Sequence, residues 1–392
     1  MLGLLKKLYK SFFLIIFYSS ILFAGKIIPA SEQPNLYLPL LKGKKVALVV
    51  NHSSLVGNGH LVDHLLSHGI EVQKIFAPEH GFRGQEDAGA HIQNSRDPQT
   101  KLPIISLYGK HKKPTKKDLN GIDIILFGIQ DVGVRFYTYL STLHYIMEAG
   151  AADDIPVMVL DRPNPNGHYI DGPVLQKKYR SFVGLAPVPV VYGMTIGEYA
   201  KMLNGEGWLK DGTQAKLTVV PLVNYAHKDS YSLPVKPSPN LPTDRAIALY
   251  PSLAFFEGTA ISAGRGTDKP FQLYGAPLYG VKKFSFVPES KPGAQYPKYK
   301  DKLCYGVDLS KSHVKQIRFK QQLDLSYLLD AYANYQNKKD FFLKNKFIDA
   351  LAGSDKLRLQ IESGISEKMI RKSWEQDLDK FKKIRKKYLL YP

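Results

Sequence analysis

Glu79, His80 and Arg83 fall within one short stretch, Ala77-Pro78-Glu79-His80-Gly81-Phe82-Arg83-Gly84. A carboxyl, an imidazole and a guanidinium so close together suit proton transfer beside a bound anion. Pro78, with Phe76 and Phe82 nearby, gives Glu79 apolar company. Such company favours the protonated carboxyl that a general acid needs. An ion pair between Glu79 and Arg83 is the purely structural alternative. Glycoside cleavage usually takes a second carboxylate. Glu86, Asp131 and Asp161 each offer one, or an acetamido group of the substrate could take its place. The planar forks of Arg83, Arg135 and Arg162 suit carboxylate or phosphate, and each could equally be used in an internal ion pair.

These groups need a scaffold, and the apolar pattern supplies one. Continuous apolar runs at residues 46–50, 72–76, 103–107, 122–127 and 157–160 read as buried strands, with a further one at 217–223. Helical patterns intervene at 60–68, 139–149 and 194–203. That alternation predicts parallel βαβ units in an α/β domain covered on both faces. Polar groups follow the strands in turn: Asn51 and His52, then Glu79 and His80, then Tyr108, then Gln130, Asp131 and Arg135, then Asp161, Arg162 and Asn164. In an open parallel sheet these positions share one edge, where ligands bind.

Residues 233–242 carry four prolines, which excludes a helix or central strand there and suggests a domain boundary. Beyond it, helices are expected at 246–256, 323–335 and 340–351. A last amphipathic stripe runs through Ile370, Trp374, Leu378, Phe381, Ile384 and Tyr388. The loop Gly264-Arg265-Gly266-Thr267 lacks the Lys-Ser/Thr of a P-loop but could bind an anion through its amides. His60 and His64 stand four apart without an HExxH pattern, and no metal site is expected. No G-x-S-x-G elbow supports a serine hydrolase.

The chain has 392 residues with 44% hydrophobic and 23% charged content, enough for two folded domains. Its formal charge of +19 attracts anions, yet no nucleic-acid-binding signature accompanies it. The 24 tyrosines suit a sugar-binding cleft as well as ordinary sheet packing. A single cysteine, Cys304, excludes an internal disulfide and a thiolate zinc site. Lys6, Lys7 and Lys10 precede an uncharged apolar run at 11–25, and a cleavage site is expected after Ala30. This reads as a secretory signal. An uncleaved anchor is the alternative, and the only expected link to a membrane.

With these residues in view, the chain resembles the exo-β-N-acetylmuramidase family. The motifs are Ala77–Gly84, Asp131-Val132-Gly133 with Arg135-Phe136-Tyr137-Thr138-Tyr139, Asp161-Arg162-Pro163-Asn164-Pro165, Pro239-Asn240, Glu257-Gly258-Thr259, Gly264-Arg265-Gly266-Thr267 and the terminal Tyr388-Leu389-Leu390-Tyr391. The resemblance implies a Rossmann-like N-terminal domain with a parallel sheet, residues 31–236 after a signal at 1–30, and a smaller C-terminal α+β domain, residues 237–392. It implies a cleft between them and hydrolysis of non-reducing-terminal N-acetylmuramic acid from peptidoglycan fragments, with no metal or organic cofactor. Glu79 takes the place of the family's acid/base, with Asp131 and Asp161 as candidate partners. Asn51, His80, Arg83, Gln130, Arg135, Tyr137, Arg162, Asn164, Asn240 and Arg265 are the expected substrate contacts. The expected partners are muropeptides or disaccharides, not nucleic acid, and the expected location is periplasmic or secreted. Two departures stand out. Ala260 replaces the asparagine of an EGTN pattern, and Asn51-His52-Ser53-Ser54 replaces a threonine-rich loop. They keep open a non-catalytic cell-wall-binding protein using the same cleft.

Overall fold

The computed structural model describes residues 25–78, 82 and 95–392. Glu79, His80, Arg83 and Glu86 therefore lie outside the described residues, as does most of the apolar N-terminal run.

Seven strands form the central sheet: β1 (Lys45–Val49), β2 (Glu71–Ala77), β3 (Ser95–Arg96), β4 (Pro103–Ser106), β5 (Ile124–Phe127), β6 (Val157–Leu160) and β7 (Leu217–Val220). Their order is β3-β4-β2-β1-β5-β6-β7, and every pairing is parallel except that of β3 with β4. Strand side chains alternate between faces. Val46, Leu48, Ile124 and Leu126 accordingly enter one core cluster, while Ala47, Val49, Ile125 and Phe127 enter the other. Both faces being buried explains why the strands read as unbroken apolar runs.

Helices cover each face. α1 (Leu61–Ser67) buries Leu61, Val62 and Leu65 in one cluster. α2 (Tyr139–Ala152) buries Leu140, Leu143, Ile146 and Met147 in the other, at the three- and four-residue spacing of a helical stripe. α3 (Ile196–Gly205) begins in a capping box. The Thr195 hydroxyl accepts from the Glu198 amide, and the Glu198 carboxylate accepts from the Thr195 amide.

The C-terminal part is α+β. α4 (Asp244–Leu253) continues through Pro251 and tightens to a 3-10 turn at Ala254–Gly258. A small antiparallel sheet follows, ordered β8 (Leu273–Ala276), β10 (Cys304–Asp308), β9 (Ser285–Phe286). The helix expected over 340–351 is shorter, α5 (Phe347–Ala352). The backbone before it is taken by residues 258–260: Ala260 donates to the Phe341 carbonyl, and Leu343 donates to that of Gly258. The last stripe is split between α6 (Glu367–Lys372) and α7 (Glu375–Lys386). The Ser373 hydroxyl bonds the Ile370 carbonyl at that break. The stripe still buries Ile370, Trp374, Leu378 and Phe381 in the cluster that contains Ala47.

At the N-terminal end of the described chain, Ile28 and Val223 exchange two backbone hydrogen bonds, and the Ala30 amide donates to the Asp161 carbonyl. Residues 28–30 thus belong to the packed edge beside β7, and a chain starting at Ser31 would lack these bonds. No helix among the described residues is long and apolar enough to cross a membrane.

Candidate active site

The sheet reverses its winding at β1, which lies between β2 and β5. Loops leaving these neighbours diverge and open a crevice at the carboxyl edge. The loops after β1 and β5 are tied there. Asn51 Oδ1 accepts from the Ser53 amide and hydroxyl, and Ser53 Oγ accepts from the Gln130 amide at 3.1 Å. Gln130 Nε2 then donates to the carbonyls of Asp131 and Pro163. Asn51 and Gln130 therefore frame the edge, and buried Asn51 Nδ2 has no hydrogen-bond partner. Ala77 closes β2 opposite Ser106 and accepts from the Leu107 amide. Glu79 is two residues further along the chain.

The proline-rich run crosses this edge. The His52 ring donates from Nε2 to the Lys236 carbonyl at 2.9 Å, and the Tyr137 hydroxyl donates to the Pro237 carbonyl at 2.8 Å. On one side of this strap lies a hollow of about 1060 Å³, including its open mouth. Tyr108 after β4 and Tyr137 after β5 form its sheet side, Asn240 lies on the strap, and Tyr250, Glu257 and Arg265 come from the C-terminal part. Tyr137 and Tyr250 meet edge-to-face at 5.9 Å, giving an aromatic wall. Glu257 and Arg265 are 3.5 Å apart and only partly buried, so both remain available to a ligand.

The Glu257 turn is held from behind. Lys298 Nζ donates to the carbonyls of Phe256, Thr259 and Ile261, and the Tyr299 hydroxyl donates to that of Ala260. Burial lowers the Lys298 ammonium below its ordinary range. Ala260 is buried in this turn, so the departure from the EGTN pattern falls in packing. Asn240 Nδ2 donates to the Gly293 carbonyl.

The other expected site residues take different positions. Asp131 is buried. Its Oδ2 accepts from the Gly133 amide and from the Tyr192 hydroxyl, while Oδ1 has no partner among the described residues. Gly133 is required here, because its φ is +79° and a Cβ would lie 2.1 Å from Asn164 Oδ1. Asp161 is wholly buried and holds structure together. It accepts from the Thr195 hydroxyl (2.7 Å), the Tyr391 hydroxyl (2.6 Å) and the amides of Gly197 and Arg162. Asn164 is spent on the Met194 carbonyl and the Asn166 amide. Arg135 donates to the carbonyls of Pro173, Val188 and Leu351, joining the two parts of the chain. Arg162 lines a second hollow, which the strap borders at Pro234.

Burial pushes the Asp131 and Asp161 carboxyls up to about 6, against the hydrogen bonds each accepts. A raised carboxyl makes the folded chain bind more protons than the unfolded one between its ordinary value and about 6. The stabilisation from each is complete below that window and is lost as pH rises through it. Asp131→Asn should therefore weaken the decline of melting temperature from about pH 4 to pH 6 relative to the parent. Melting curves across that range check this, and an unchanged slope would exclude Asp131 as its source.

Sequence reasoning put Tyr108 at the ligand-binding edge but did not place Glu257 or Tyr250 in the site. Glu257-Gly258-Thr259 was visible as a motif, but no strand end pointed to it, because its position depends on the C-terminal part folding over the sheet edge. Among the described residues no cluster of three or more His, Cys, Asp or Glu could hold a metal ion.

Residues 46–245 match the family model described as exo-beta-N-acetylmuramidase NamZ, N-terminal, and residues 248–391 match its C-terminal counterpart. The chain is 41% identical to the peptidoglycan beta-N-acetylmuramidase NamZ of Bacillus subtilis over 376 residues, covering 91% of this chain and 89% of the relative. Two crystal structures of DUF1343 family proteins from Bacteroides fragilis superpose on 93% of this chain and 99% of theirs. One has a TM-score of 0.86 at 46% identity, the other 0.77 at 29%. With both halves matched, and with a relative this similar along nearly its whole length, the chain belongs to the exo-beta-N-acetylmuramidase NamZ family.

Proposed function

We propose that this protein is an exo-β-N-acetylmuramidase that releases N-acetylmuramic acid from the non-reducing end of peptidoglycan fragments. Membership in the family makes it a glycosidase. The observation that carries the finer reading is the hollow beside the end of β2. It combines an aromatic wall with Glu257 and Arg265, at the sheet edge from which the chain runs on to Glu79. Aromatic faces suit the apolar faces of a sugar ring. A partly exposed guanidinium suits the lactyl carboxylate that distinguishes muramic acid from glucosamine.

In this reading Glu79 protonates the departing glycosidic oxygen while a second group, a carboxylate or the sugar's own acetamido oxygen, bonds the anomeric carbon, and water then displaces that group as Glu79 takes its proton. Asp131 and Asp161 are engaged inside the fold, which leaves Glu257, among the described residues, as the carboxylate best placed to face the sugar. Release into the periplasm or the medium accords with a wall substrate and with the basic, apolar N-terminus.

The test is incubation with the disaccharide in which N-acetylmuramic acid is β-linked to N-acetylglucosamine, followed by mass spectrometry. Equimolar free monosaccharides are expected. Binding of the intact disaccharide without release would replace the enzyme by a wall-binding protein that uses the same cleft.

A further inference from the structure

Arg135 and Arg162 are both buried, and among the described residues neither Nε has a hydrogen-bond partner, but Arg162 also lines an open hollow. Arg135 has three short bonds to carbonyls. Arg162 is 4% exposed and donates from Nη2 to the Leu55 carbonyl at 3.2 Å, while its buried Nε has no partner. No carboxylate among the described residues lies within ion-pair distance of it. A buried cation whose counter-charge, here Glu32, lies beyond ion-pair distance is costly. Burial lowers Arg162 to about 10, which registers that cost.

Arg162 lines the second hollow, of about 1410 Å³ with its open mouth. Lys26 adds a positive charge to the wall, and Asn58, Ser230 and Ser232 add hydrogen-bonding groups. Glu32 is the wall's acidic residue, and its Oε1 already accepts from the Gly57 amide at 2.7 Å. Charge and polarity together fit a carboxylate. The two hollows flank one strap: Pro234 borders this one and Ser238 the other. Three residues lie between Pro234 and Ser238, so these two are at most about 14 Å apart. The rims of the two hollows at these residues are therefore no farther apart than an extended oligosaccharide can span.

We propose that the Arg162 hollow is a second subsite, which takes a carboxylate carried by the peptidoglycan fragment beyond its terminal muramic ring. This rests on the muramidase reading of the first hollow. Two parts of a fragment carry such a group: the lactyl group of the next muramic unit, and a peptide stem. Arg162 closes a charge-assisted pair with it, and the rim serines bind the neighbouring polar groups.

The experiment compares kcat/KM for three substrates: the bare disaccharide, the unsubstituted tetrasaccharide of two such repeats, and the disaccharide bearing a peptide stem. The wild type should favour a carboxylate-extended substrate over the bare disaccharide by about tenfold or more, the effect of one hydrogen-bonded charge pair. Whether the tetrasaccharide or the stem-bearing disaccharide shows the gain identifies the source of the carboxylate. Arg162→Gln should abolish the preference. Ser232→Trp, at the exposed rim, should do the same by filling the hollow while Arg162 stays in place, so a misfolded Arg162 variant would not end the test. Absence of any preference, or a preference that both variants retain, overturns the subsite. If no substrate is hydrolysed, the muramidase reading fails separately. Calorimetric binding of the same three compounds then decides the subsite: tighter binding of an extended compound that is lost in Arg162→Gln supports it, and equal binding overturns it.

Discussion

Glu79→Gln should leave a folded protein that has lost most of its turnover. Glutamine keeps the size and hydrogen-bonding capacity of glutamate but cannot deliver or accept the proton that breaking a glycosidic bond requires. Losing a positioned general acid/base lowers kcat by about a hundredfold to ten-thousandfold, a rise in barrier of roughly 3–5 kcal/mol. Substrate affinity should change much less, because the aromatic wall and the Glu257–Arg265 pair belong to other elements. Turnover on the disaccharide, with a melting curve for each protein, reads both quantities. A variant that still turns over at the parental rate removes Glu79 from the chemistry and moves attention to Glu257. A variant that melts early shows the carboxylate to be structural, the alternative its spacing to Arg83 also allows.

The largest stability effect is expected far from the cleft, at Glu198. This wholly buried carboxylate accepts from the Thr195 amide at 2.9 Å, from His227 Nε2 at 2.8 Å, and from the amides of Leu390 and Tyr391 at 2.7 and 3.3 Å. The His227 amide and Nδ1 both meet the Pro392 carbonyl, and Tyr391 OH reaches Asp161. One carboxylate therefore starts α3 and also clasps the chain's last residues to the sheet edge. Glu198→Ala strands several buried donors at once, and breaking such a site costs about 3–5 kcal/mol. In a protein of this size, melting should fall by about 5 °C. Limited proteolysis should then cut near the C-terminus first. Glu206→Ala is the control. Glu206 holds Tyr388 and Lys387 at the surface, where such pairs contribute less than about 1 kcal/mol. Equal losses from the two variants would show the clasp to be no stronger than an ordinary surface contact.

The α/β architecture was legible because each strand of the parallel sheet is buried on both faces and so appears as an unbroken apolar run. The edge where those strands end was legible for the same reason, and it pointed to Glu79, Asn51, Tyr108 and Gln130. Local pattern misjudged elements whose backbone bonds a distant partner. Residues 340–346 have a helical pattern, yet Phe341 and Leu343 bond the turn at 258–260 instead.

The roles of individual polar residues were the least legible, because a carboxylate or guanidinium has the same letter whether it meets substrate or a carbonyl. Asp161 and Arg162 are neighbours in one motif. The first is enclosed by four donors of its own chain, and the second is left beside an open hollow. Sequence by itself determined the parallel sheet and the edge where its polar loops gather, since these follow from the spacing of apolar runs, and its motifs carried the resemblance to the family. Only the tertiary structure decided which charges stay free at that edge. That depends on which donors and acceptors arrive from elsewhere: from the strap at 236–237, from the turn that carries Glu257, and from a C-terminal tail more than a hundred residues away from the groups it satisfies.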